Sequence, residues 1–207
     1  KVLEPVLKKA RDKGIVVLTH ESPDEQIGQW DIETIDSEKY AQANVDELAK
    51  NMGGKGGYAI YVGSLTVPLH NAWADYAIKY QKEKYPEMFE VTSRLPVAES
   101  IDKSYATTLD LMKTYPQMKG IIGFGSLGPI GAQKKRAKDK IAVVGIAMPA
   151  QAAPYLMRGD IKKALLWDPK DAGYALVTVA DQLLQGKEVN ADLSIDGLGK
   201  ADIDTEK

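Results

Sequence analysis

The chain has no cysteine in 207 residues. That excludes disulfides, thiolate metal sites and cysteine nucleophiles within these residues, but says little about compartment, because an exported protein need not use disulfides. Histidine is almost as scarce, with only two, His20 and His70. They are far apart and lack H-x-x-x-H spacing, so a zinc site has little support. Neither sign of charge dominates: 27 Lys and Arg face 29 Asp and Glu, a net charge of −2. This offers no electrostatic case for nucleic acid. No apolar run approaches the roughly 18 residues of a membrane span. No signal peptide is visible, although the first residues already lie in a helix-like pattern, as they would if a leader preceded them. There is no long Pro/Gly/Ser linker and no low-complexity block. What remains is ordinary globular material, 44% apolar and 27% charged, long enough for one large domain or two small ones.

Apolar runs alternate with helical periodicity almost throughout. Residues 2–13 read as a helix with Val2, Leu3, Val6, Leu7 and Ala10 on one face, stopped by Gly14. Strand 15–19 follows. A helix over 37–52 carries Tyr40, Asn44, Val45, Leu48 and Met52 at helical spacing and ends at Gly53-Gly54. Strand 57–63 leads to a helix over 68–84 striped by Leu69, Trp73, Ala77 and Tyr80. The remaining pairs are strand 89–94 with helix 101–115, strand 120–124 with a helix near 129–138, and strand 141–146 with a helix near 150–157. Strand 161–166 precedes a helix over 170–185 with a stripe of Ala172, Leu176, Val179, Ala180 and Leu183. Residues 187–207 are polar, with weak strand signals at 189–195. Short Val/Ile-rich strands are typical of strands buried on both faces. Their alternation with helices predicts a parallel sheet covered on both sides, an α/β fold.

In such sheets ligands lie outside the carboxyl ends of the strands. Two stretches stand there. Thr19-His20-Glu21-Ser22 follows Ile15-Val16-Val17-Leu18, and Leu166-Trp167-Asp168-Pro169 follows the run from Ile161. Each supplies a carboxylate, which accepts paired hydroxyl hydrogen bonds, and the second adds an indole, which covers an apolar ring face. That chemistry suits a small polyol or sugar. Glu21 could instead be a solvated loop carboxylate and Trp167 plain core. His70, at a helix start beside Asn71, can donate a ring N–H to a ligand oxygen; the bland reading is a half-exposed helix-start histidine.

Other motifs carry less. Gly123-Phe124-Gly125-Ser126-Leu127-Gly128 matches G-x-G-x-x-G, but no carboxylate stands at the next strand's end, Ile146-Ala147-Met148-Pro149. It reads better as a tight strand-to-helix turn where missing Cβ atoms let a ligand approach. Gly63-Ser64-Leu65-Thr66 lacks the Gly-Lys-Ser/Thr of a P-loop, and Ser64 and Thr66 are expected to cap the next helix. A Ser-His-Asp set from Ser64 or Ser126, His70 and Asp168 has no G-x-S-x-G elbow behind it. Lys134-Lys135-Arg136 is most simply a solvated helix face.

Several segments taken in order resemble the type I periplasmic sugar-binding proteins of ABC importers, nearest the branch holding the autoinducer-2 (Lsr-type) and rhamnose-binding proteins. They are Leu3-Glu4-Pro5-Val6-Leu7-Lys8-Lys9-Ala10, Val17-Leu18-Thr19-His20-Glu21-Ser22, Val62-Gly63-Ser64 with Asn71-Ala72-Trp73, Tyr115-Pro116-Gln117-Met118-Lys119-Gly120-Ile121-Ile122, Val143-Val144-Gly145, Ala153-Pro154-Tyr155-Leu156 and Leu166-Trp167-Asp168. The resemblance implies two doubly wound parallel-sheet lobes joined by three crossings, with the sugar clamped between them. Crossings then fall near Thr34-Ile35 and Trp167-Asp168. Residues 36–166 form one complete lobe. Residues 1–34 and 168–207 form part of the other, whose opening elements are absent, so a fragment with exposed apolar surface is expected.

Carried over by position, Glu21 and Ser22 match the pair that grips sugar hydroxyls, and His70 a polar contact. Phe124, Gly125 and Ser126 match the contact loop of the second lobe. Ala147 and Met148 fall where ribose binders carry an aspartate, and Trp167 and Asp168 lie at the last crossing. The autoinducer-2 pattern would place Asp-Gln at Leu69-His70, and Pro and Ala at Phe124 and Ser126. With Leu69, Phe124, Met148 and Trp167 in place, a deoxy sugar or another polyol fits better. The implied mechanism is recognition without chemistry or cofactor: a monomer in the periplasm, or lipid-anchored outside the cytoplasmic membrane, closes on sugar and docks on a permease. The rivals are the sugar-responsive core of a LacI-type repressor, which needs a DNA-binding headpiece, and a sugar-processing enzyme, which needs a paired acid and base.

Overall fold

The computed structural model describes residues 2–133 and 141–204. In chain order the elements begin with α1 (Glu4–Asp12), β1 (Leu18–Thr19) and β2 (Trp30–Asp31). There follow α2 (Ser37–Met52), β3 (Gly56–Val62), α3 (Pro68–Lys84), β4 (Met88–Glu90), α4 (Ile101–Thr114), β5 (Met118–Phe124), α5 (Gly128–Ala132), β6 (Ala142–Ile146), α6 (Pro149–Met157) and β7 (Lys163–Leu165). The chain closes with α7 (Pro169–Leu184), β8 (Ser194–Ile195) and β9 (Gly199–Lys200). It divides into two compact units, Lys1–Ile35 with Trp167–Lys207, and Asp36–Leu166. The helix expected near 129–138 is seen as α5 alone. Its remaining residues, and the Lys134-Lys135-Arg136 face, lie outside the described residues.

The unit Asp36–Leu166 is built on a five-stranded parallel sheet in the order β4-β3-β5-β6-β7. Register is set by apolar partners, Ile60 opposite Ile122 and Ile122 opposite Val144. Consecutive residues of β3, β5 and β6 are buried, so both faces of the sheet are covered and an alternating pattern is absent. On one face lie Ala59, Tyr61, Ile121 and Val143 with Leu111, Ile130 and Ala152. Each such buried side chain stabilises the fold by about 1.5–3 kcal/mol. The buried phenols are satisfied: Tyr61 Oη lies 2.8 Å from Thr108 Oγ1, and Tyr58 donates to Gln81 Oε1 at 3.1 Å. Burial pushes both phenols above their ordinary range. α2 begins where the Asp36 carboxylate accepts the Lys39 N–H at 2.9 Å, and ends at Gly53, whose φ of 72° suits glycine.

The unit Lys1–Ile35 with Trp167–Lys207 is slighter. β1 and β2 pair in parallel, Leu18 opposite Trp30, and β8 and β9 form an antiparallel hairpin. Ala175, Val179, Leu193 and Ile195 make its core, with Leu18, Trp30, Ile32 and Leu183 packed against them. The expected strand 15–19 shrinks to two residues. α1 buries none of its residues, in keeping with the exposed apolar surface expected of this part. Its apolar stripe faces solvent, with Val2 94%, Leu3 64% and Val6 57% exposed. In α7 the buried residues are Ala172, Ala175 and Val179, so Ala175 takes the place expected of Ala180.

Candidate functional site

In the smaller unit, the carboxyl ends of β1 and β2 bring four titratable residues together. β1 runs into His20, Glu21 and Ser22; β2 ends on Asp31 and is followed by Glu33. His20 Nδ1 donates to the Ile32 carbonyl at 2.6 Å. The same ring has Glu21 Oε1 3.5 Å from Nε2 and Glu33 Oε2 3.6 Å from Nδ1. Glu33 Oε1 accepts the Glu21 N–H at 2.7 Å, and Asp31 Oδ1 accepts the Ser22 N–H at 3.3 Å. Among the described residues, Glu21 alone carries a side chain at positive φ, 57°. A left-handed backbone costs an L-residue about 1–2 kcal/mol, so these two amide contacts hold a shape the chain does not prefer. Burial raises the Glu21 carboxyl above its ordinary range; His20 opposes this and Asp31 adds to it.

At the other end of this unit, Asp168 caps α7. Its Oδ1 accepts the Lys170 N–H at 2.9 Å, and the residue is exposed. Trp167 is half-buried.

In the larger unit the corresponding strand ends are Gly63 after β3, Gly125 after β5 and Ala147 after β6. His70 stands in the first turn of α3, after Pro68, with its ring stacked on Trp73 at 5.6 Å. Its Nδ1 accepts the Gly63 N–H at 3.1 Å. Burial lowers its pKa, which favours the neutral ring. With Nδ1 accepting, the proton sits on Nε2, which is then a donor. This histidine serves no serine hydroxyl, so the paper triad has no base.

The G-x-G-x-x-G turn is explained by packing. A Cβ at Gly123 would meet the Pro129 ring at 2.6 Å, and one at Gly125 would meet Ala98 Cβ and Glu99 Oε1 at 2.6 Å. Leu69 and Ala147 are buried, while Ser126 is half-buried and Met148 exposed. The Phe124 ring is fully buried against Tyr40 and Trp73, with centroids at 6.1 and 5.9 Å. The backbone of Phe124 is buried along with the ring. Contrary to the expectation from the sequence, Ser64 and Thr66 do not cap α3. Their hydroxyls bond each other at 2.9 Å, and the Asn71 amide donates to the Ser64 and Val67 carbonyls.

Three residues of these clusters escape sequence reading. Asp31 and Glu33 sit on and just after a two-residue strand that no apolar run announces. Glu99 lies beside Gly63 and Gly125 in the connection before α4; its place between a strand and a helix was the available signal. Among the described residues no group of three His, Asp or Glu side chains is arranged to hold a metal ion. No helix there is long and apolar enough to cross a membrane.

Residues 1–188 match the family model of the periplasmic binding protein domain. The chain belongs to that family. Its α/β fold is shared with solved solute-binding proteins. One is a glucose-galactose binding protein from Geobacillus stearothermophilus, 21% identical, with TM-score 0.81 over 90% of this chain and 68% of that one. Another is an ABC transporter solute binding protein from Clostridium phytofermentas with bound L-rhamnose: 23% identity, TM-score 0.79, 94% of this chain and 64% of that one. A third is a carbohydrate transporter solute binding protein from Agrobacterium radiobacter in complex with D-arabinose, 20% identical, TM-score 0.78, over 89% and 66%. This periplasmic binding protein chain thus spans about two thirds of the length of the structures it matches.

Proposed function

We propose that the protein is an extracytoplasmic solute-binding protein that captures a small sugar or polyol and delivers it to an ABC permease. The observation that carries this reading is the polar equipment at the carboxyl ends of parallel strands in both units. One unit offers the Glu21 and Ser22 loop, the other a neutral His70 with its Nε2–H, with Glu99 also beside Gly63. Carboxylates accept sugar hydroxyls and the imidazole donates to a sugar oxygen. The sugars held by the structurally similar proteins, L-rhamnose and D-arabinose, agree with a deoxy sugar or pentose. The unit boundaries at Ile35/Asp36 and Leu166/Trp167 support crossings near Thr34-Ile35 and Trp167-Asp168 as hinges for closure, which is favourable only when the ligand touches both units. Of the remaining candidates, Gly125 offers close backbone approach, Met148 and Trp167 apolar cover, and Asp168 its uncapped oxygen. Leu69, Phe124 and Ala147 shape the wall from behind.

The test is a tryptophan fluorescence titration against L-rhamnose, D-arabinose, D-glucose, D-galactose and a set of polyols, with Trp167→Phe as control. A saturable signal with one sugar, lost in Trp167→Phe, supports the reading. Calorimetry on Glu21→Ala and His70→Ala should then show binding weakened at least tenfold, about 1.4 kcal/mol. A folded protein silent to every sugar sinks it.

A further inference from the structure

The strained Glu21 backbone is held by a group that can change its charge. Glu33 leaves β2 beside the end of β1, and its Oε1 takes the Glu21 N–H at 2.7 Å. We propose that Glu33 is a positioning residue acting as a pH-dependent latch: ionised, it holds the Glu21 loop in its left-handed shape, and protonated, it releases it. The latch belongs to the site described above, and its consequence for ligand affinity rests on the functional reading given there.

The chemistry of the contact supports a switch. A carboxylate accepting an amide proton makes a bond about twice as strong as a neutral acceptor does. Holding Glu21 at φ 57° works against the backbone preference of an L-residue, and one such charge-assisted bond is of the size that offsets it. The loop shape is therefore balanced against a single proton. Burial, then the Asp31 charge, hold the Glu33 proton on up to about 7, while His20 and the Glu21 amide pull the other way.

The surrounding charges are few. His20 stands 3.6 Å from Glu33 Oε2 and shares its other face with the Glu21 carboxylate. In the β1–β2 connection, Glu25 accepts the Ile27 and Gly28 amides, and Arg11 of α1 donates to the Ile27 carbonyl. α7 meets this small sheet through Ala175, Val179 and Leu183, which bring no charge.

The test needs no ligand. Amide proton and nitrogen NMR of the protein is followed from pH 5.5 to 8.5. The Glu21 amide proton is expected to move downfield as pH rises, with a midpoint near 7, and the backbone of residues 20–23 to become more ordered over the same range. In Glu33→Gln, which keeps an acceptor oxygen but cannot ionise, both changes should vanish. In His20→Gln, which removes the neighbouring imidazole, both should persist. A Glu21 amide that does not titrate, one that still titrates in Glu33→Gln, or one silenced by His20→Gln overturns the latch. Failure of the sugar titration would remove the functional reading and leave these outcomes unaffected.

Discussion

The two units hold their candidate residues by different means. In the unit Asp36–Leu166, positions come from packing: a five-stranded sheet buried on both faces carries Gly63 and Gly125, and His70 is fixed by a backbone amide and the Trp73 ring. In the other unit, a two-residue strand pair has little to pack with, and carboxyl groups grip backbone amides instead. The size of a sheet thus decides what disturbs its rim. The first unit should respond to changes of volume and the second to changes of charge.

The largest effect is expected from Gly145→Ala. A Cβ there would lie 2.2 Å from the Gly123 carbonyl oxygen, at a φ of 144°. No rotamer relieves a clash between two backbones, so the loss should reach about 3 kcal/mol or more. Denaturant unfolding followed by the fluorescence of buried Trp73 measures it. A smaller loss awaits Tyr61→Phe, which orphans the buried Thr108 hydroxyl of its 2.8 Å partner. About 1–2 kcal/mol is expected in the same assay. A Gly145→Ala protein with unchanged stability would show that the sheet yields more readily than its packing allows.

Charge should separate the units by sign. Burial first, then the Asp31 charge, push the Glu33 carboxyl up to about 7 in the folded state, from an ordinary 4.5. Between these values the folded state binds more protons than the unfolded one, so stability falls as pH rises from 4.5 to 7. Asp46 of the larger unit behaves oppositely. Burial pushes its pKa up, but hydrogen bonds from Lys84, Tyr85 and Tyr80 outweigh this and leave it below 3.8. Its contribution is present above 3.8 and lost as pH falls through the lowered value. Amide hydrogen exchange, resolved by residue and corrected for intrinsic rates, should show residues 28–32, outside the Glu21 loop, less protected at pH 7.5 than at 5. Around His70 in α3 the sign is opposite: burial lowers its pKa, so protection there should be equal or greater at pH 7.5. Equal behaviour of both units would break the comparison.

The same contrast governs how much was legible in the sequence. α2 and α3 were read to the residue, because Asp36, Gly53 and Pro68 punctuate long periodic segments. β2 was not read at all, since Gln29 and Asp31 interrupt Trp30 and Ile32 and leave no apolar run; Asp31 and Glu33 were lost with it. The α1 stripe was legible as one apolar face, but periodicity reports amphipathicity, not what lies opposite, and here the face is exposed. Phe124 was legible as a strand end, but not that its ring turns into the Tyr40 and Trp73 cluster, which only tertiary packing decides. His70 was singled out for a ring donor at a helix start, and its tautomer follows from a Gly63 amide that no spacing rule reveals.

The smallest effect reverses the sign of a familiar substitution. Gly14 and Glu21 stand close in the chain at similar φ, 77° and 57°. Gly14 meets nothing that a Cβ would strike, so Gly14→Ala isolates the left-handed penalty and should cost about 1 kcal/mol. Glu21→Gly removes that same penalty but frees the unfolded chain, leaving a net gain of about 0.5 kcal/mol. If the Glu21 loop is bent for a ligand rather than for the fold, the gain in melting temperature should come with loss of sugar binding. A Glu21→Gly protein less stable than its parent would mean that the Glu21 side chain, through His20, repays the strain by itself.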